Sequence, residues 1–318
     1  MQRRHFLQAA SFATFASALP VWAQSKATKL LVGAPPGGGT DILARAIGNE
    51  MSKHLSRNFI VENRPGAGGN IAAMGTSQAP ADGSTLLLSY TSHVINPSLY
   101  KKLPFDPIND FTPIAPIATA PSILLVSPQC PANNLQELIA LAKSKPGTLN
   151  VAIAGLGGAN HLAGEMLRKQ ANIDVLGIPY KGTAGALGDL MANHVDIVFS
   201  GYGAAGPLIK AGKVKALAVT SAQPLISLPN VPPIANDLPN FDYSAWYGIF
   251  GPAGLPAQDV EALRTAVAAS LKAPAITQQL DREGMTPLTM NGDEFTQFVM
   301  AEVQRWKQAV EISGVELL

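Results

Sequence analysis

Four glycine-rich segments constrain this chain more than any other feature. Each is lodged between a short apolar run and a stretch of helical periodicity. They are Ala34-Pro35-Pro36-Gly37-Gly38-Gly39-Thr40-Asp41, Glu62-Asn63-Arg64-Pro65-Gly66-Ala67-Gly68-Gly69-Asn70, Ala154-Gly155-Leu156-Gly157-Gly158-Ala159-Asn160-His161 and Tyr180-Lys181-Gly182-Thr183-Ala184-Gly185. Parallel neighbours need a crossover between them, so strand, turn and helix repeated along a chain predict an α/β fold. Leu30-Leu31-Val32 precedes the first loop, and Ile42, Leu43, Ala46, Ile47, Met51 and Leu55 follow it at helical spacing. Residues 59–61 and 85–90 read as further strands. Of the 318 residues, 47% are hydrophobic and only 14% charged. That suits buried parallel strands and opposes disorder.

Residues 111–127 form a long apolar segment broken by prolines, which could carry the chain out of one sheet into another. A second series follows, with helices expected at 135–141, 161–170, 186–193 and, briefly, 207–211. Strands are expected at 149–154, 175–180, 196–200 and 214–220. Residues 223–240, rich in Pro, Asn and Leu, read as a connector. Residues 246–250 are strand-like, and only helices are expected after them. Phe295, Phe298, Val299, Val303, Trp306 and Val310 mark one face of the last helix. The inferred organisation is a discontinuous first lobe, 27–120 plus 247–318, and a continuous second lobe, 121–246. Two crossing strands, near 122–126 and 247–250, would form the hinge. A single large doubly wound sheet fits the periodicity nearly as well. No repeat of fixed period is visible.

The N-terminus reads as an export signal, residues 1–23. Arg3 and Arg4 precede Phe6-Leu7, an uncharged apolar stretch from Ala9 to Val21 and a Val21-Trp22-Ala23 cleavage pattern. The paired arginines resemble a twin-arginine signal, with Gln2 and Gln8 as departures, so the general secretory route stays open. Loss of Arg3 and Arg4, with no acid in that segment, takes the formal net charge from +1 to −1. No basic field then points to nucleic acid or to a membrane surface. No later segment is long and apolar enough to insert in a bilayer. The single cysteine, Cys130, permits neither an internal disulfide nor a cysteine metal cluster. The five histidines lack metal-ligand spacing, and no cofactor is expected.

In open α/β sheets ligands lie beyond the carboxyl ends of strands, at helix N-termini. There the first N–H groups lack partners and the dipole is positive. Glycine lets the backbone approach an anion, although it equally serves tight helix–strand packing. Asp41 would sit in a first helical turn and stabilise its dipole. It could alternatively hold a ligand amine or a water, and it would repel an adjacent anion. Thr40 could cap the helix or donate to a ligand. His161 lacks an evident nucleophile, because Val198-Phe199-Ser200-Gly201-Tyr202 is not a nucleophile elbow. Lys181 could attract an anion or remain solvated. Tyr90, Tyr180, Tyr202 and Trp246 could line a cleft or pack in the core. Neither glycine run satisfies a dinucleotide or phosphate-loop pattern.

The loops and their surroundings resemble the Bug family, periplasmic solute receptors of tripartite tricarboxylate transporters. The matching stretches are APPGGGTDILAR (34–45), VENRPGAGGNIA (61–72), ADGSTLLL (81–88), FTPIAPIA (111–118), AGLGGANHLAGE (154–165), PYKGTAGAL (179–187) and WYGIFGPAGLP (246–256). The resemblance implies a two-lobed Venus-flytrap fold of type II topology that binds a small carboxylate between its lobes, without catalysis. It implies first-lobe contacts from Pro36, Gly37, Gly38, Gly39, Thr40 and Asp41, and from Thr91 and Ser92. Second-lobe contacts would come from Gly157, Gly158, Ala159, Asn160 and His161, from Tyr180, Lys181, Gly182 and Thr183, and from Ser200 to Tyr202. Ala159 departs from the family's usual Ser or Thr and removes a hydroxyl donor. The implied partner is a membrane permease, and the protein is expected to be monomeric. Two alternatives remain at this level. One is a receptor signalling to a membrane kinase. The other is a secreted carboxylate-ester hydrolase built on His161 with Ser200 or Ser92.

Overall fold

The computed structural model describes residues 27–318; the expected export signal, 1–23, lies outside them. The first apolar run forms β1 (Thr28–Val32), followed by α1 (Gly39–Leu55), β2 (Phe59–Asn63), α2 (Asn70–Ser77), β3 (Thr85–Tyr90) and α3 (Ser92–Leu99). Then come β4 (Phe111–Ala120), β5 (Ser122–Val126), α4 (Leu135–Ser144), β6 (Asn150–Ile153), α5 (Ala159–Gln170) and β7 (Leu176–Pro179). α6 (Thr183–Met191), β8 (Ile197–Gly201), α7 (Tyr202–Lys210) and β9 (Lys215–Val219) complete the second series. The chain ends with β10 (Ala245–Pro252), α8 (Ala257–Ser270), α9 (Pro274–Glu283), β11 (Thr286–Pro287) and α10 (Gly292–Ser313).

These strands build two sheets, not one. The first has the order β11-β4-β10-β3-β1-β2 and the second β7-β6-β8-β5-β9. The proline-broken segment changes sheet at Pro121, between β4 and β5. Both sheets repeat one plan. In each, three parallel strands lie second-first-third, then an antiparallel strand, then a fourth parallel one. The antiparallel member is β10 in the first sheet and β5 in the second. Each is the first strand laid down after the chain changes sheet. This likeness has no counterpart at a fixed sequence period, because it resides in topology and turn geometry.

Apolar strand faces explain the core. Leu30, Val32, Leu86 and Leu88 pack under α1 and α8, while a second cluster runs from Leu31 and Leu87 through Leu124, Val126 and Phe199 to Trp246 and Phe295. The two sheets therefore share a continuous apolar body through α3, α5 and α10. Trp246 and Trp306 are fully buried, and both indole N–H groups donate to Glu302 Oε2, at 2.9 and 2.8 Å.

Two local expectations are corrected. α7 begins at Tyr202 rather than 207, because Gly203 and Gly206 in its first turns hide its apolar periodicity. The C-terminal part is not solely helical, since Thr286 and Pro287 pair with Thr119 and Ala118 at the sheet edge. Proline is tolerated at such an edge.

Candidate functional site

The chain builds one turn twice. Gly37 and Gly157 have φ of +82° and +73°, a left-handed conformation that costs any L side chain energy. Gly38 and Gly158 follow as N-caps with φ/ψ of −81°/166° and −78°/168°. The Gly37 N–H donates to Asp41 Oδ2 at 2.9 Å, and the Gly157 N–H to His161 Nδ1 at 3.0 Å. In both loops a side chain one turn into the helix reaches back and fixes the turn. Neither N-cap residue supplies a side-chain acceptor, so the first-turn N–H groups of α1 and α5 keep the capacity to bind an anion.

Asp41 is thereby a positioning residue. Its carboxylate also accepts from Asn63 Nδ2 at 2.9 Å and Arg45 Nε at 3.1 Å. Burial alone would raise its carboxyl, but Arg45, the Gly37 N–H and Asn63 outweigh burial and hold it below the ordinary value. Its oxygens serve the loop, which favours the structural reading of the two open for it.

His161 is nine-tenths buried. Burial pushes its imidazole down, with Glu165 acting weakly the other way. With Nδ1 accepting from Gly157, the neutral ring carries its proton on Nε2. The Ser200 hydroxyl donates to the Gly201 carbonyl at 3.2 Å. Among the described residues no hydrogen bond joins His161 to Ser200 or Ser92, so the base–nucleophile pair of the hydrolase alternative is not assembled.

The other expected residues divide into braces and rim. Asn160 hydrogen-bonds the Ser122 hydroxyl and donates to the Phe199 carbonyl at 3.4 Å. It thus ties the first turn of α5 to the point where the chain enters the second sheet. Thr91, buried at the start of α3, accepts from the Trp246 N–H at 2.7 Å; its hydroxyl braces β10. Tyr180 donates to Asp189 Oδ2 at 2.6 Å. Gly182 caps α6 and Thr183 opens it, while Lys181 is exposed beside them. Tyr202 is buried at the head of α7, and Ala159 opens α5. Pro36 and Gly38 are exposed at the tip of the first loop, with Gly39, Thr40 and Ser92 half-buried.

The Thr40 hydroxyl lies beside the Tyr247 phenol. Burial, chiefly, and the charge of Glu283 raise that phenol, against the effect of Thr40. Tyr247 and Glu283 lie beside Thr40 and Gly39 of the first loop, and the glycine motifs gave no sign of either. Both enter from the C-terminal third of the chain, outside every glycine loop.

A separate cavity of about 780 Å³ lies between β4, α8 and the segment leading into α10, lined by Ile114, Arg264, Leu271 and Met290 among others. The head of α10 opens into it at Asn291 and Gly292, but the Asn291 side chain already accepts from the Asp293 and Glu294 N–H groups. The glycine loops remain the better candidate, because the turns at Gly37 and Gly157 leave the heads of α1 and α5 without side-chain caps. Among the described residues no cluster of His, Cys, Asp or Glu could hold a metal, and no helix is long and apolar enough to cross a membrane.

Residues 43–315 match the family model described as tripartite tricarboxylate transporter family receptor. The chain is 31% identical to Protein BugT of Bordetella pertussis over 96% of its own length and 95% of that protein. A structure from R. palustris solved with adipate is 33% identical, covers 92% of this chain and 98% of its own, and superposes with a TM-score of 0.81. MatC from Rhodopseudomonas palustris, with bound malate, is 33% identical, covers 89% and 99%, and gives 0.76. The family and its solved structures are solute-binding proteins rather than enzymes, with the two-lobed α/β architecture expected from the sequence. On the family match and these relatives, the chain belongs to the tripartite tricarboxylate transporter receptor family.

Proposed function

We propose that this chain is a periplasmic receptor that captures a small carboxylate between two lobes and delivers it, as a monomer, to a permease of the tripartite tricarboxylate type. The lobes are those built on the two sheets, 27–120 plus 247–318 and 121–246. Residues 1–23 direct export, with the paired arginines favouring the twin-arginine route. The observation that carries the reading is the duplicated turn at Gly37 and Gly157, one on each sheet, with first-turn N–H groups open in both helices. A carboxylate held at the first turn of α5 gains charge-assisted hydrogen bonds of about 1.5–3 kcal/mol each, while the rest of the ligand meets the first turn of α1. The ligand touches both lobes only when they approach, so it shifts the population toward a closed form. The adipate and malate bound by the two related structures support the ligand class.

The test is a thermal-shift screen of the mature chain, unfolded and refolded to remove carried-over ligand, against mono-, di- and tricarboxylates, amino acids and aromatic acids. Ligand at one hundred times its dissociation constant adds about 2.7 kcal/mol, enough to move the midpoint by several degrees. A shift confined to carboxylates supports the receptor. Folded protein that responds to none of them refutes it.

A further inference from the structure

Glu283 closes α9 in the first lobe, yet its carboxylate lies at the head of α7 in the second. A methyl group placed on Gly203, in the first turn of α7, would collide with Glu283 Oε2. One placed on Gly39, the first residue of α1, would lie 3.6 Å from the same oxygen. Gln279 Nε2 donates to Oε1 at 3.4 Å. Among the described residues no Lys, Arg or His forms an ion pair with it. One half-buried carboxylate thus stands between the first turns of two helices, one from each sheet, and beside the Thr40–Tyr247 pair.

The charge balance there has a consequence. A helix N-terminus is equivalent to roughly half a positive charge. Two such ends are offset by the single charge of Glu283. A ligand anion arriving at this end of the cleft therefore meets no net positive field and a like charge at close range. The turn at α5 differs. Its reaching side chain is the neutral His161, so its open N–H groups can take an anion.

We infer that Glu283 is a specificity-determining residue, whose carboxylate between α1 and α7 favours ligands that pair one carboxylate with a hydrogen-bond donor over dicarboxylates. The inference rests on the receptor reading above. The ligand's carboxylate is held at the α5 side, and its donor, a hydroxyl, amide or ammonium, faces Glu283. Gly203 is part of the device, since a side chain there would displace the carboxylate.

The test uses matched acids of the same length, adipate against its monoamide and malate against its monoamides. They are titrated calorimetrically into refolded mature protein and into E283Q, with E283A as a second variant and circular dichroism to check folding. The parent protein should prefer a monoamide over its diacid by roughly tenfold or more, and both variants should lower that ratio by about tenfold. A ratio unchanged in both variants, or a parent that prefers the diacids, overturns the role of Glu283 while leaving the receptor intact. Folded proteins that bind none of these acids remove the receptor reading for this ligand class, and the inference with it.

Discussion

Replacing Asp41 by Ala tests whether the first loop is held by the side chain behind it. The substitution deletes the acceptor for the Gly37 N–H and for Asn63, each a net contribution of about 1 kcal/mol. It also removes a carboxylate from the first turn of α1, worth about 0.3–1 kcal/mol. The ion pair with Arg45 adds little, because half of the Arg45 side chain is solvent-exposed. The sum is about 2–3 kcal/mol, or roughly five degrees or more in thermal midpoint for a chain of this size. Calorimetry at neutral pH reads it directly. Asp41→Asn keeps the shape and loses the charge, so it should fall between parent and Ala. The pH dependence has a definite sign. The folded carboxyl sits below its ordinary value, so its stabilisation is complete above the unfolded pKa of about 3.9 and is lost as pH falls through the folded value. Parent and Asn variant should therefore converge in acid. An Ala variant melting within about one degree of the parent at neutral pH would refute the account of the loop.

Further outcomes follow from the same geometry. Glu302→Ala strands the buried indole N–H groups of Trp246 and Trp306; a loss of about 2–5 kcal/mol is expected, with a change in tryptophan emission, and Glu302→Gln should cost less. Gly157→Ala imposes a left-handed alanine and drives its methyl into Leu99; it should cost about 1–2 kcal/mol, and a double-mutant cycle with Leu99→Ala should recover the steric share. His93 is buried against Phe105, Phe111 and Phe250, with Nε2 on the Pro107 carbonyl and Nδ1 unpartnered. Burial pushes its pKa down to about 4, so its contribution is full above about 6.5 and is lost as pH falls toward 4. His93→Phe should flatten denaturation midpoints across that window, and an unchanged pH profile would contradict the burial argument.

The architecture was legible where local chemistry and topology agree. The β5 strand was expected at the residues it occupies, because SILLV is a continuous apolar run set off by prolines, and such a run fits a strand buried on both faces. The head of α7 was not legible, since Tyr202-Gly203-Ala204-Ala205-Gly206 carries few apolar side chains to show a period. The loops announced themselves through glycine, but the division of labour within them did not. Asp41 and His161 are unlike residues doing the same task, and only the positions of Gly37 and Gly157 reveal it. Thr91 and Asn160 read as ligand donors, yet each is drawn inward by a backbone or hydroxyl partner distant in sequence. Glu283 lay beyond reach for the same reason, because its neighbours Gly39 and Gly203 are set by tertiary folding alone.

The insertion of β10 between β3 and β4 dictates an order of events during synthesis. Every strand of the second sheet leaves the ribosome as one unbroken stretch, whereas the first sheet waits for a central strand made after all of them. Until residues 245–252 emerge, β3 and β4 lack the neighbour they share, and closing so long a loop is slow. A nascent chain halted just short of that strand would therefore hold an ordered middle behind an unfinished beginning. The parent protein should gain protease resistance in its first hundred residues only once translation is nearly complete.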